Sequence, residues 1–291
     1  MLNKIRIHQV FYFAVSLFLI CISQKISSFN ISEINSSISV LFLIIMSFGV
    51  SHGAADSIII WKTFPKLKIR ALAFLIYLLI VLLGLFLWFK SPLFGLIILL
   101  CISIIHFGQS DLSYLKHANE GLKFAWGFVM TLLPVIFFES DVKSIFDTLV
   151  NIDIDARIFI FLRKITILFI VSFLFFLFRS YTIEKKDKFF LGLEFLITLV
   201  LANILSPLYW FTFYFCFLHG IRALINIGIN SLRDFLFLII FTLPVTFFSY
   251  FILLKNLNFE YLNVIFSVLM ALTISHMLLP LLNRFISRAL N

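Results

Sequence analysis

Apolar stretches long enough to cross a lipid bilayer recur from one end of this chain to the other, and no other feature limits its fold so strongly. A membrane-spanning helix needs about 17–25 predominantly apolar residues. About ten segments approach that pattern, at roughly 7–23, 38–60, 70–89, 92–110, 122–139, 158–179, 188–205, 207–229, 234–254 and 262–283. The pairs 70–110 and 188–229 are joined only by Lys90-Ser91-Pro92 and Ser206-Pro207. The pattern predicts an all-α polytopic membrane protein of about 8–10 transmembrane helices, a single integral membrane domain over residues 1–291. Composition agrees. The chain is 62% hydrophobic and 13% charged, and a soluble domain carries about twice that charged fraction. Its mean hydropathy is +1.12.

Charge placement predicts orientation. With the N-terminus inside, the cytoplasmic loops would hold Lys4, Arg6, Lys62, Lys66, Lys68, Arg70, Lys116, Arg179, Lys185, Lys186, Lys188, Arg233, Arg284 and Arg288. The opposite side would carry fewer cations and the acidic stretch Glu139, Asp141, Asp147, Asp153 and Asp155. That asymmetry favours N-in, C-in. It accounts for the net charge of +9 without nucleic acid, for which no basic block interleaved with aromatics is present. The first segment is followed by Gln24-Lys25-Ile26-Ser27 rather than a small-residue cleavage site, so it reads as an uncleaved helix. Cys21, Cys101 and Cys216 lie in apolar runs without CxxC spacing and are expected to be small buried hydrophobes. The forty phenylalanines serve either as lipid-facing and core bulk or, in part, as the wall of a pocket for a large apolar ligand.

Four histidines break the apolar runs: His52, His106, His219 and His276. Ionisable side chains at membrane depth are costly, face a protein interior, and mark functional sites by default. In the N-in topology all four lie on segments running from outside to inside, three in the inner half and His219 near the middle, so they can converge. His52 and Asp56 are one helical turn apart and share a face. A metal-bound imidazole commonly donates its second N–H to a carboxylate, and Asp56 could serve His52 or a neighbour; the alternative is a His–Asp bond that only ties helices together. Asp111, five residues after His106, is displaced around its helix and either takes part or caps the helix near the interface. Arg222 needs a partner, for which Glu194 is the nearest polar candidate, as a structural pair or a functional one. His276 is either a ligand or an interhelical hydrogen-bonding group. His8 and His117 are assigned no role. Imidazole-rich, thiolate-free ligation suits iron, zinc or copper.

The motifs around these histidines resemble those of the Brp/Blh-type membrane β-carotene 15,15′-dioxygenases. Gly49-Val50-Ser51-His52-Gly53-Ala54-Ala55-Asp56 is similar to the family's first motif, and Ile105-His106-Phe107-Gly108-Gln109-Ser110-Asp111 to its His-Phe-Gly-x-x-Asp motif. Tyr214 to Arg222 resembles its Tyr-Phe-x-x-x-His-Ser-x-Arg-His segment, with Glu194 and Pro207 in similar places before it. Thr273-Ile274-Ser275-His276-Met277 resembles the closing motif. The ordered set spans residues 49 to 277. The chain departs from the pattern at Ser51, Ser57, Gly220 and Ser275, and above all at Ala223, where the family carries a second histidine one turn after the first.

The resemblance implies a non-haem iron dioxygenase that uses Fe(2+) and O₂ to cleave β-carotene, or a related carotenoid, at its central double bond into two retinal molecules. It implies His52, His106, His219 and His276 as metal ligands, with Asp56 and Asp111 as catalytic carboxylates. The implied setting is the inner (plasma) membrane, crossed many times, with a microbial rhodopsin as recipient of the retinal. Because of Ala223, the alternative is an altered, non-catalytic relative that binds carotenoid or retinal.

Overall fold

The computed structural model describes residues 2–26, 41, 43–49, 51–229, 231–253 and 261–289, and every regular element among them is helical. Helix α1 (Leu2–Ile26) is followed by a π-helical turn at Ile45–Gly49 and two short helices, α2 (Ser51–Ala54) and α3 (Asp56–Thr63). The long pair α4 (Leu67–Lys90) and α5 (Pro92–Asp111) comes next, then α6 (Glu120–Leu132), α7 (Pro134–Phe137), α8 (Glu139–Val150) and α9 (Ala156–Arg179). The chain closes with α10 (Lys185–Ile204), α11 (Pro207–Phe213), a second π segment (Tyr214–Gly220), α12 (Ile221–Ile227), α13 (Leu232–Leu253) and α14 (Tyr261–Ala289).

Local chemistry places the boundaries. Pro92, Pro134 and Pro207 each occupy the first turn of a helix, where the missing N–H costs nothing. Asn151 and Gly228 stop α8 and α12 in the left-handed conformation, at φ 55 and 72°. Asn119 and Asp155 cap α6 and α9 by accepting the backbone N–H of Gly121 and Arg157.

Six stretches among the described residues are long and apolar enough to span a bilayer: Leu2–Ile22, Leu67–Lys90, Pro92–Asp111, Ala156–Arg179, Pro207–Ile227 and Leu262–Ile286. Two of the apolar runs are not single rods. The run at 38–60 is split, within its described part, into the π turn, α2 and α3, and the run at 122–139 breaks at Pro134. The cysteines are all free, but only Cys216 is buried; Cys21 and Cys101 lie on the exposed surface of their helices, against expectation. An apolar sequence run does not say which of its faces looks inward.

α4 and α9 turn most of their apolar surface outward, through residues such as Leu75, Leu79, Leu82, Phe161, Leu168 and Phe175. Lipid is the solvent such a surface fits. The interior holds Trp126, Trp210, Tyr12, Tyr214 and, unusually, Arg222. Small residues bring the inner helices together. A Cβ on Gly108 would stand 2.1 Å from the Lys123 carbonyl oxygen, and one on Gly127 would stand 1.8 Å from that of Ile104, so α5 and α6 touch backbone to backbone. At the α4–α14 crossing a Cβ on Gly84 would lie 2.9 Å from Ala271 Cα. These contacts hold α5 and α14, which carry His106 and His276, against their neighbours.

Candidate functional site

Three of the four membrane histidines meet. The His106 ring, on α5, lies 4.8 Å from that of His219 and 4.9 Å from that of His276, centre to centre, edge-on to both at 73 and 79°. They come from α5, the second π segment and α14. His106 is 5% exposed and His219 fully buried, while the His276 side chain is 20% exposed. His52 belongs to α2, but its side chain lies outside the described residues.

Each carboxylate serves the histidine of a different motif. Asp111 Oδ1 accepts from His219 Nδ1 at 2.8 Å, and Asp56 Oδ1 accepts from His276 Nδ1 at 2.7 Å. A carboxylate can only accept, so in both rings Nδ1 carries a proton, and in the neutral imidazole Nε2 then keeps the lone pair. The first motif is thereby tied to the fourth and the second to the third. Asp56 also takes a hydrogen bond from Tyr77 at 2.9 Å. Asp111 takes further ones from Trp126 Nε1 at 3.0 Å and the Tyr214 hydroxyl at 2.8 Å, both on Oδ2. Asp111 ends α5 and is fully buried. Both aspartates are hydrogen-bonded to histidines.

The π segment makes the Asp111 arrangement possible. Tyr214 and His219 are five residues apart, and at 3.6 residues per turn an α-helix would point them roughly 140° apart. A π turn closes on residue i+5, which returns both side chains to the side where Asp111 stands. Aromatic rings wall His219: Phe107 at 4.7 Å edge-on and Phe215 at 5.7 Å stacked.

A buried polar network lies behind this layer. Arg222 pairs with Glu194, both wholly buried, and its Nη1 donates to the Asp111 backbone carbonyl at 3.1 Å. Glu194 also accepts from Gln9 at 3.1 Å, Gln9 accepts from Arg6 at 3.3 Å, and Arg6 pairs with Asp187 toward the surface. The expected Arg222–Glu194 pair is present. His8, assigned no role from sequence, is 4% exposed and donates from Nε2 to the Phe217 carbonyl at 2.8 Å, inside the π segment. Its signal was available: Arg6, His8 and Gln9 open an otherwise apolar helix. Tyr77 and Trp126 gave no such signal, since aromatic residues are common in every segment. Ala223, 5% exposed, lies on α12 next to Arg222.

On the other side of His106 an apolar cavity, with about 880 Å³ of empty space counting its open mouth, is walled by Leu99, Phe107, Trp210, Phe211, Phe215 and Phe266. A mostly apolar, aromatic wall with a few polar groups is the kind of lining that receives small organic ligands.

The donors suit a metal in kind and in pairwise spacing. Two imidazoles sharing one ion through bonds of about 2.1 Å would hold their ring centres roughly 4.6–5.3 Å apart. Both pairs around His106 fall in that range, and two of the three rings have a carboxylate on Nδ1, the usual outer partner of a ligating histidine. Among the described residues, however, no group of three or more His, Cys, Asp and Glu is arranged so that it could hold a metal ion.

Comparison with known proteins agrees with these features. Residues 43–282 match the family described as Beta-carotene 15,15'-dioxygenase. A similar protein, the Beta-carotene 15,15'-dioxygenase of an uncultured marine bacterium 66A03, is 30% identical over 193 residues. The matched region covers 62% of this chain and 65% of that protein. No solved structure matches.

Proposed function

This chain belongs to the β-carotene 15,15'-dioxygenase family, and from that premise we propose that it cleaves β-carotene, or a related carotenoid, with O₂ at the central double bond to give two molecules of retinal. The observation that carries the reading is the meeting of His106, His219 and His276 beside an aromatic-lined cavity. His106, His219 and His276, with His52 from α2, would hold Fe(II). When bound, the iron supplies the activation of O₂ that a protein side chain cannot.

The chain's own residues do the rest. Asp56 and Asp111 fix Nδ1–H on His276 and His219, so that Nε2 of each would be the atom to hold the metal. Tyr77, Trp126 and Tyr214 hold the carboxylates in turn. Arg222 ties the Asp111 backbone to Glu194 and keeps the end of α5 in place. The cavity wall takes up the polyene and excludes water, which would otherwise compete for reactive oxygen. A lipid-soluble substrate needs no aqueous entry, which fits a site inside a multi-pass membrane protein, in this reading the inner membrane with the N-terminus inside. A microbial rhodopsin would be a natural recipient of the retinal.

The decisive experiment is to make the chain in cells that accumulate β-carotene and to separate the pigments by chromatography. Retinal rising as β-carotene falls supports the proposal; unchanged β-carotene with the protein present in the membrane contradicts it. Ala223 favours a second reading, a binding protein without turnover, because an imidazole there would stand one turn after His219. That reading predicts co-purified carotenoid without product, and cleavage gained by Ala223→His.

A further inference from the structure

The cavity beside His106 carries three hydroxyls in an otherwise apolar wall: Ser103, Thr131 and Thr273. Two are committed to their own helices. Thr131 Oγ1 donates to the Gly127 carbonyl at 2.8 Å and Thr273 Oγ1 to that of Leu269 at 2.7 Å. Serine and threonine in apolar helices commonly return their proton to the carbonyl four residues back, as Thr166, Ser172, Thr198, Thr212 and Ser275 also do here. Ser103 does not. It is only 8% exposed, and among the described residues its hydroxyl has no hydrogen-bond partner. A hydroxyl that lines a cavity without returning its proton to its own helix keeps that proton available to an acceptor on a ligand.

Its place says which acceptor. Ser103 precedes His106 by three residues on α5, so the two share a face, and both line the cavity. The hydroxyl therefore stands beside the histidine cluster, at the end of the cavity where the reacting bond would lie. A hydrocarbon polyene offers nothing there for a hydrogen bond. The aldehyde made from it does: cleavage puts one oxygen atom of O₂ on each carbon of the broken double bond, with no proton gained or lost.

We propose that Ser103 donates a hydrogen bond to the carbonyl oxygen of the polyene aldehyde formed in this cavity, so that the site holds its oxygenated product by a contact the hydrocarbon substrate lacks. This rests on the reading of the cavity as a polyene site. Ser103 keeps its proton throughout and acts by orienting and retaining the aldehyde.

The test is equilibrium binding to the purified full chain in lipid nanodiscs, metal-free and without O₂, so that no turnover intrudes. Retinal and β-carotene are titrated separately, and quenching of tryptophan fluorescence is read, Trp210 being part of the wall. Ser103→Ala is expected to weaken retinal binding roughly 3- to 10-fold, the range for one neutral hydrogen bond, while β-carotene binding stays within 2-fold or so by the same argument. Ser103→Cys, similar in size but a poorer donor, should fall between. Unchanged retinal affinity in Ser103→Ala overturns the proposal, as does an equal loss for both ligands, which would mean packing alone. If neither ligand quenches the wild-type protein, the polyene reading of the cavity fails and this inference fails with it.

Discussion

Asp111 receives three side-chain donors on its two oxygens, from His219, Trp126 and Tyr214, while Arg222 holds its backbone carbonyl. So many donors around one buried carboxylate stabilise its charge and fix the direction of the His219 ring. Removing an outer partner of a ligating histidine typically costs about 10–100-fold in metal affinity. Asp111→Ala should therefore lower iron retained after dialysis against a chelator by that order, measured by metal analysis, while Tyr77→Phe, which spares the Asp56–His276 bond, should lower it less. Equal iron retention in wild type and Asp111→Ala would contradict this role. The Arg222–Glu194 pair is a different kind of feature, since losing one member of a buried ion pair leaves the other charge uncompensated. Glu194→Gln should destabilise by about 3–5 kcal/mol, read as a lower midpoint of thermal unfolding in detergent, and Glu194→Gln with Arg222→Met should recover part of the loss. At this scale the sequence was informative about identity and silent about pairing. Histidine and aspartate in apolar runs announce themselves, but spacing left open whether Asp56 serves His52 or a neighbour; it binds His276, 220 residues away.

Among the elements there are two short π segments: Ile45–Gly49, which precedes His52, and Tyr214–Gly220, which contains His219. They are tied by Cys216 Sγ, which donates to the Ile44 carbonyl at 3.7 Å. Periodicity reads the runs containing them as plain helix, because a single widened turn leaves composition unchanged and depends on tertiary packing. The break at Ala55 is hidden for the same reason. Proline breaks are legible, as at Pro134 and Pro207. Glycine is intermediate: the Phe107-Gly108 motif is visible, but its use as a groove for the Lys123 carbonyl emerges only when α6 is placed. Gly127→Ala would drive a methyl into the Ile104 carbonyl, two residues from His106. We predict loss of about 1–3 kcal/mol or more, and iron binding that falls with it. Ala125→Gly, on the same helix but without that contact, should cost about 1 kcal/mol and spare iron binding. Equal iron binding in Gly127→Ala and wild type would show that the α5–α6 approach does not position His106.

The whole molecule divides into a lipid-facing shell, to which α4, α9 and α13 contribute most among the described residues, and an interior where polar groups concentrate around one cluster. Its membrane character was plain from hydropathy, since bilayer-length runs leave little choice of fold. The number of the spans was less so, because short helices such as α2, α3 and α7 occupy apolar runs without crossing as single rods. What unites the architecture is that elements from both ends of the chain reach one place: α1 through His8 and Gln9, α14 through His276. In the proposed function this cluster, facing its apolar cavity, performs central cleavage of a carotenoid. The most direct measurement incubates purified wild-type protein and His219→Ala, each supplied with Fe(II), with β-carotene under O₂, and quantifies carotene consumed and aldehyde formed by chromatography. The account predicts about two retinal molecules per carotene lost with wild type, as central cleavage requires, and no product above background with His219→Ala. Retinal formed equally by both proteins, or β-carotene left intact by folded, iron-loaded wild type, would contradict it.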